Sequence, residues 1–360
     1  MNKITEKSEK TRKLLIKHYQ TYPQLQIEDI FKYIFQSAFG CEHLVSNESA
    51  ALDYIKSEYD SMSENKSHFF EELDGRYCRV HLSYLNAGLK PATLARLFCL
   101  SAKNEPSGKC LLEQKLETAK MLVGEGALPF DKNEFERKLS LWREQGYPAI
   151  HHSDIFRSEY APAYRVIDKR YVGFLDIFSA IDQALEKGTA IIAIEGGSAG
   201  GKTTLAEILK EVYDCNVVHM DDFFLRPEQR TPQRFAEVGG NVDRERFYEE
   251  ILISLSKNET VRYRPFDCST QTLKDVVTVE PKKLTVVEGV YSMHPAFGKY
   301  YDLSVFLDID PEYQKKRILV RNSPWLAKRF FEEWIPLENI YFSKMRIKEM
   351  CEVTKSIMDF

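Results

Sequence analysis

No stretch of this sequence is apolar for long enough to cross a bilayer as a helix. The first residues, Met1-Asn-Lys-Ile-Thr-Glu-Lys7, are polar and lack the apolar core of a signal peptide. Neither sign of charge predominates: Lys and Arg number 50 against 54 Asp and Glu, and the formal net charge of −4 removes the general electrostatic argument for a nucleic-acid or anionic-membrane partner. Cysteines number seven, odd and scattered, which fits reduced thiols in a cytoplasmic protein better than a disulfide framework. No internal repeat or low-complexity tract is evident. With 360 residues, 43% of them hydrophobic and 29% charged, the chain is long enough for two or three folded domains.

What the sequence does hold is one sharply punctuated stretch. An apolar run of strand length, Ala190-Ile-Ile-Ala-Ile-Glu195, leads into Gly196-Gly197-Ser198-Ala199-Gly200-Gly201-Lys202-Thr203, and then Thr204 opens a helix-like run to Tyr213. This is G-x-x-x-x-G-K-[ST] between a strand and a helix. The glycines let successive backbone N–H groups converge on one phosphate chain, and the helix N-terminus adds partial positive charge there. Lys202 is spaced to reach the β- and γ-phosphates, and the Thr203 hydroxyl to ligate Mg²⁺. A glycine turn without function needs neither the flanking strand nor the helix.

Ahead of this stretch the chain reads as helical. Apolar residues recur at three- and four-residue spacing from Thr11 to Ala38, interrupted at Pro23, and again over 50–59, 91–101, 111–123 and 133–145, with one short strand near 77–84. A pattern break between Tyr147 and Tyr171 marks a link, so we expect a mainly α-helical N-terminal domain at 1–165 and a second domain at 166–360. Phe174, Ile177, Phe178, Ile181 and Leu185 form a helical stripe leading to the Ala190 strand.

In the second domain strands alternate with helices. Val217, Val218 and Met220 form a strand ending at Asp221 and Asp222. Leu284-Thr-Val-Val-Glu288 and Leu303-Ser-Val-Phe-Leu-Asp308 are two more, and a final helix is expected to about Met358. The pattern is an α/β one: a P-loop NTPase parallel sheet with helices on both faces. Ligands of such sheets sit beyond the C-terminal strand ends, where the glycine loop, Asp221, Asp222 and Glu288 all fall.

A carboxylate in this setting is suited to accept a hydroxyl proton or to support Mg²⁺, and equally to be a solvated loop residue or a helix cap. Arg317 and Arg321 lie four apart on one helix face in a locally basic segment. They suit charge stabilisation on a transferring phosphoryl group, or a solvated helix face.

The order of motifs from about Phe174 onward resembles the uridine kinase branch of P-loop kinases, near phosphoribulokinase and pantothenate kinase. Gly196–Thr203 matches the nucleotide loop. Met220-Asp-Asp-Phe-Phe224 is similar to an element whose first Asp is the base, here Asp221. Asn241-Val-Asp243 resembles one whose Asp touches nucleoside or sugar. Val287-Glu-Gly-Val290 resembles a Glu-Gly element with Glu288 on the metal, and Arg317 and Arg321 stand where lid-proximal arginines are found. The resemblance implies ATP and Mg²⁺ as cofactors, a small-molecule hydroxyl as acceptor, Lys202 and Asp221 as catalytic, and Asp222, Asp243, Tyr263, Arg264 and Asp267 as acceptor-side residues.

It also breaks down in one place. Arg262-Tyr-Arg-Pro-Phe-Asp-Cys268 has no histidine where the family holds a pyrimidine, so a hydroxyl kinase is implied more firmly than a uridine kinase. A different class of reading is a nucleotide-responsive switch whose N-terminal domain binds a partner. That domain carries no family resemblance, and three roles stay open for it: shaping the acceptor site, homo-oligomerisation, or ligand sensing. Cys41, His43, Cys78 and His81 are a loose Cys/His set that reads more simply as buried thiols and core histidines.

Overall fold

The structure is a computed structural model, and it describes residues 3–41, 47–62, 70–102 and 108–357. The chain divides into two compact units, Met1–Ser179 and Ala180–Phe360. The division falls later than the 165/166 boundary suggested by the sequence. The reason is that Tyr164–Asp168, within the stretch read as a link, is a strand pairing antiparallel with Tyr77–His81.

In the N-terminal unit the expected helices form as Lys3–Thr21, Ile27–Phe39, Glu48–Asp60, Pro91–Ala102, Gly108–Gly124 and Lys132–Glu144. They accompany a three-stranded antiparallel sheet of Phe70–Glu72, Tyr77–His81 and Tyr164–Asp168. Pro23, between Thr21 and Ile27, and Gly40, after Phe39, account for the helix ends. Asp29 is wholly buried and is compensated by hydrogen bonds from Ser153 N (3.1 Å), Ser153 Oγ (2.7 Å) and the His152 ring (2.8 Å). His152 Nε2 lies 2.6 Å from the Tyr164 hydroxyl. Cys41 and Cys78 are buried, with Cys41 Sγ donating to the Val166 carbonyl at 3.6 Å. His43 lies outside the described residues. Among the described residues no group of three or more His, Cys, Asp or Glu is placed to hold a metal.

The C-terminal unit is built on a five-stranded parallel sheet. Its order is Val353–Ile357, Leu303–Ile309, Ala190–Gly196, Leu284–Glu288, Asn216–His219. The central strands are apolar on both faces because helices cover both, as alternating strand and helix patterns require. One side of the sheet buries Val218, Phe223, Phe247, Ile251, Val287, Phe306 and Tyr341 in a single cluster. Each such large side chain contributes about 1.5–3 kcal/mol by burial.

The C-terminus departs from expectation. In place of one helix to about Met358, helices Ile335–Met345 and Ile347–Met350 precede the edge strand Val353–Ile357. That strand alternates half-buried and exposed residues, the period of a sheet edge, and five residues were too few to register against the helical pattern before them.

Candidate active site at the strand ends

Register sets the site. Glu288 lies opposite Ile194 on one side and His219 on the other, so two strands finish level and the Ala190–Gly196 strand runs two residues further. The chain leaves the Ala190–Gly196 strand through the glycine loop into helix Lys202–Tyr213. Gly196 and Gly201 take φ of +137° and +93°, and Ala199 one of +58°. Gly201 forms the helix N-cap in the left-handed region, where a glycine costs nothing sterically. Lys202, in the first turn, folds back over the loop and donates to the carbonyls of Gly196 (2.8 Å) and Gly197 (3.1 Å). Thr203 and Thr204 are exposed at the helix start.

Thr203 Oγ1 donates to Glu288 Oε1 at 3.1 Å, and the same oxygen lies 2.6 Å from His219 Nδ1. Burial pushes the Glu288 carboxyl upward, but the His219 hydrogen bond and the nearby Lys202 charge outweigh it and hold the carboxyl below its usual range. His219 is raised in turn, first by that hydrogen bond. The hydroxyl and carboxylate make a hard oxygen pair of the type that suits Mg²⁺. Gly289 follows with φ +139°, and a Cβ there would stand 2.6 Å from Met220 Cβ, so both the backbone and the close approach call for glycine. The Glu-Gly pair therefore joins a carboxylate at a strand end to a close approach between neighbouring segments.

Asp221 and Asp222 sit in a short 3₁₀ turn, Met220–Phe223, directly beyond the Asn216–His219 strand. Asp221 is exposed. Its carboxyl is raised, chiefly by desolvation, with Lys202 opposing and Glu288 adding to the shift. Asp222 is raised also, by burial first, and accepts from the Tyr263 hydroxyl at 3.1 Å. Tyr263 stacks on Phe223 with ring centres 5.4 Å apart.

The other acceptor-side residues divide. Asp243 caps the helical run that begins at Arg244. Its oxygens accept from Arg246 N (3.2 Å) and Gln229 Nε2 (2.8 Å), while its own N–H donates to the Phe223 carbonyl at 2.7 Å. It thus backs the segment bearing Asp222. Arg264 and Asp267 serve their own hairpin. Arg264 donates to the carbonyls of Lys274 (2.6 Å) and Leu273 (3.1 Å), and Asp267 closes a turn by accepting from Ser269 N at 2.8 Å. Arg317 reaches the loop: its Nη1 stands 3.8 Å from where a Gly201 Cβ would be. Arg321, one turn later, is exposed at the helix end.

Sequence reasoning missed His219, Glu195, Gln314, Glu338 and Tyr341. His219 was legible in principle, two residues before Asp221 at a strand end. The others carry no motif. Glu195 is fully buried beneath the loop and accepts from Tyr341 Oη (2.8 Å), Met293 N (3.0 Å) and Gly196 N (3.2 Å). Burial lifts its carboxyl to about 7 against those donors. The native chain therefore keeps a proton that the unfolded chain has released above about pH 4.5, and stability falls as pH rises between those two values. We expect the unfolding free energy to drop by roughly 3 kcal/mol between about pH 4.5 and 7. Denaturant titrations across that range should find the drop in the wild-type protein and a flattened profile in Glu195→Gln. Equal slopes in the two would remove Glu195 as the cause.

No family model matches the chain. Over 141 residues it is 30% identical to a uridine kinase of Chlamydia pneumoniae, a stretch covering 37% of this chain and 63% of that protein. Over 146 residues it is 27% identical to a uridine kinase of Geobacillus kaustophilus, covering 38% of this chain and 68% of that protein. A solved structure described as a possible uridine kinase from Bacillus stearothermophilus aligns at 20% identity with a TM-score of 0.38, over 50% of this chain and 98% of that one. The chain thus spans just under two thirds of the Chlamydia protein's length. By its parallel sheet and glycine-loop motif the C-terminal unit has a P-loop NTPase-type α/β fold. More narrowly, uridine kinase homologues cover about 37% of the chain, and its C-terminal half resembles them.

Proposed function

We propose that this protein is an ATP-dependent phosphotransferase that moves the γ-phosphoryl group to a hydroxyl of a small metabolite, nucleoside- or sugar-like. The supporting observation is the convergence of Thr203, Glu288 and Asp221 around Lys202: Thr203 and Glu288 are hydrogen-bonded at 3.1 Å, and Asp221 feels the charges of both Lys202 and Glu288. Phosphoryl transfer needs little covalent chemistry from the protein; it needs position and charge. The loop N–H groups and Lys202 hold the phosphates. Thr203 and Glu288 would hold Mg²⁺, which supplies positive charge beside them. Asp221, raised toward the working range by desolvation, takes the acceptor's hydroxyl proton. Arg317, beside Gly201, stabilises charge on the group in transit. Asp222, with Tyr263 on it and Asp243 behind it, forms the acceptor wall.

The test is a panel of nucleosides, sugars and vitamin precursors incubated with ATP, Mg²⁺ and the full chain, with products read by mass spectrometry. Acceptor-dependent ADP release with one phosphorylated product is expected. ATP hydrolysis indifferent to every acceptor, and stimulated by a macromolecule, would replace the kinase with a nucleotide switch.

A further inference from the structure

Ser198 is the third residue of the glycine loop, four before Lys202. Both of its donors go to one carboxylate. Its backbone N–H donates to Glu338 Oε2 at 2.9 Å, and its hydroxyl donates to Glu338 Oε1. Its carbonyl accepts from Gln314 Nε2 at 2.7 Å. Glu338 belongs to the helix Ile335–Met345 and is 5% exposed. One turn further along that helix, Tyr341 reaches Glu195 under the same loop.

A buried carboxylate is an unexpected group to bring to this loop, whose N–H groups are disposed to receive phosphate oxygens. Burial raises the Glu338 carboxyl; the Ser198 hydrogen bonds and the Lys202 charge oppose that rise, and Asp221 adds to it. Its Oε2 also stands 3.7 Å from where a Gly197 Cβ would be, so the carboxylate lies against two successive loop residues. An anionic oxygen pair, hydrogen-bonded by a loop N–H and attracted by the loop lysine, has the chemistry of a terminal phosphate. Lys202 has meanwhile turned to the Gly196 and Gly197 carbonyls.

We propose that Glu338 is an internal stand-in for the nucleotide's terminal phosphate: it occupies Ser198 in the nucleotide-free protein and is displaced by the γ-phosphate of an incoming triphosphate. The proposal rests on the reading of Gly196–Thr203 as a nucleotide loop. Two anions cannot share one N–H donor without strong repulsion, so the carboxylate leaves Ser198 when the γ-phosphate arrives. A diphosphate lacks that group and leaves Glu338 in place. Glu338 thus lowers affinity for the triphosphate selectively, and its return after transfer favours the diphosphate-bound state.

Calorimetric titration of the full chain with Mg²⁺-ATP and Mg²⁺-ADP tests this in the wild type, Glu338→Gln and Tyr341→Phe. Glutamine keeps one neutral acceptor for the Ser198 N–H, turns the other oxygen into an amide donor that the Ser198 hydroxyl can accept from, and removes the charge. In Glu338→Gln, ATP should bind about tenfold tighter while ADP changes by less than about threefold. Tyr341→Phe disturbs the same helix without touching Ser198, and its ATP-to-ADP affinity ratio should match the wild type. Unchanged or weaker ATP binding in Glu338→Gln overturns the proposal, as does equal tightening of both nucleotides or the same ratio change in Tyr341→Phe. If neither nucleotide binds to any of the three proteins, the nucleotide reading itself fails and the stand-in falls with it.

Discussion

Asp221→Asn should lower turnover by roughly 10²- to 10⁴-fold, the range a positioned general base supplies, while ATP binding survives. The substitution is nearly isosteric, so it leaves the Met220–Phe223 turn and its buried Met220 and Phe223 intact. It removes the exposed carboxylate on which the charges of Lys202 and Glu288 both act. Asp222 cannot replace it readily, because its carboxylate already accepts from Tyr263. The wild-type rate should also fall as pH drops through the raised Asp221 pKa, since protonation removes the base, and that acidic limb should be missing from the residual activity of the variant. Steady-state rates with an identified acceptor, set beside a direct ATP titration, check both parts. Turnover within about twofold of wild type would take Asp221 out of the proton transfer, because a base contributes far more than that.

How much of this was readable beforehand follows from the range of the interactions. The strand–loop–helix of Ala190–Tyr213 is local, and its glycines, lysine and threonine announce it in one stretch. Strand ends just before Asp221 and at Glu288 were readable from short apolar runs, and parallel pairing then sets Glu288 beside His219, two residues before Asp221. The helices of the N-terminal unit were readable because their apolar spacing is long and regular. What hid were contacts made across long sequence separations by residues with no pattern around them. Glu338 meets Ser198 and Tyr341 meets Glu195 from a helix whose sequence reads only as aromatic and charged. Arg264 and Asp267 were drawn toward the acceptor side by their charge and their place in the motif order. In the structure a hairpin of two-residue strands occupies both side chains, a demand too short to leave a periodic signature. Tyr164–Asp168 was missed for a related reason: its partner strand lies far earlier in the chain, and proline and tyrosine just before it read as a link.

Gly196→Ala should be the most damaging single-methyl change in the C-terminal unit's loop, costing on the order of 3–5 kcal/mol and abolishing nucleotide binding. Two independent penalties coincide there. The residue holds φ at +137°, a conformation open to glycine and strained for any L side chain. An added Cβ would also stand 2.4 Å from the Leu307 carbonyl oxygen, and Leu307 is the residue opposite Gly196 in the parallel register. Backbone of a central strand cannot swing aside as a side-chain end can, so the clash must be relieved by moving the loop or by unzipping the last pair of the sheet. Either displaces the Gly196 carbonyl that holds Lys202 and the peptide that donates to Glu195. Gly197→Ala makes the comparison informative. Its nearest neighbour is the Gln314 side-chain amide at 3.0 Å, which can rotate, and its φ is not positive, so the loss there should be about 1 kcal/mol or less. Denaturant midpoints for the two variants, with ATP titrations beside them, separate backbone strain from simple crowding of the loop. Similar, mild losses at both positions would mean that the strand end yields at Leu307, and the loop would then be far more plastic than its register implies.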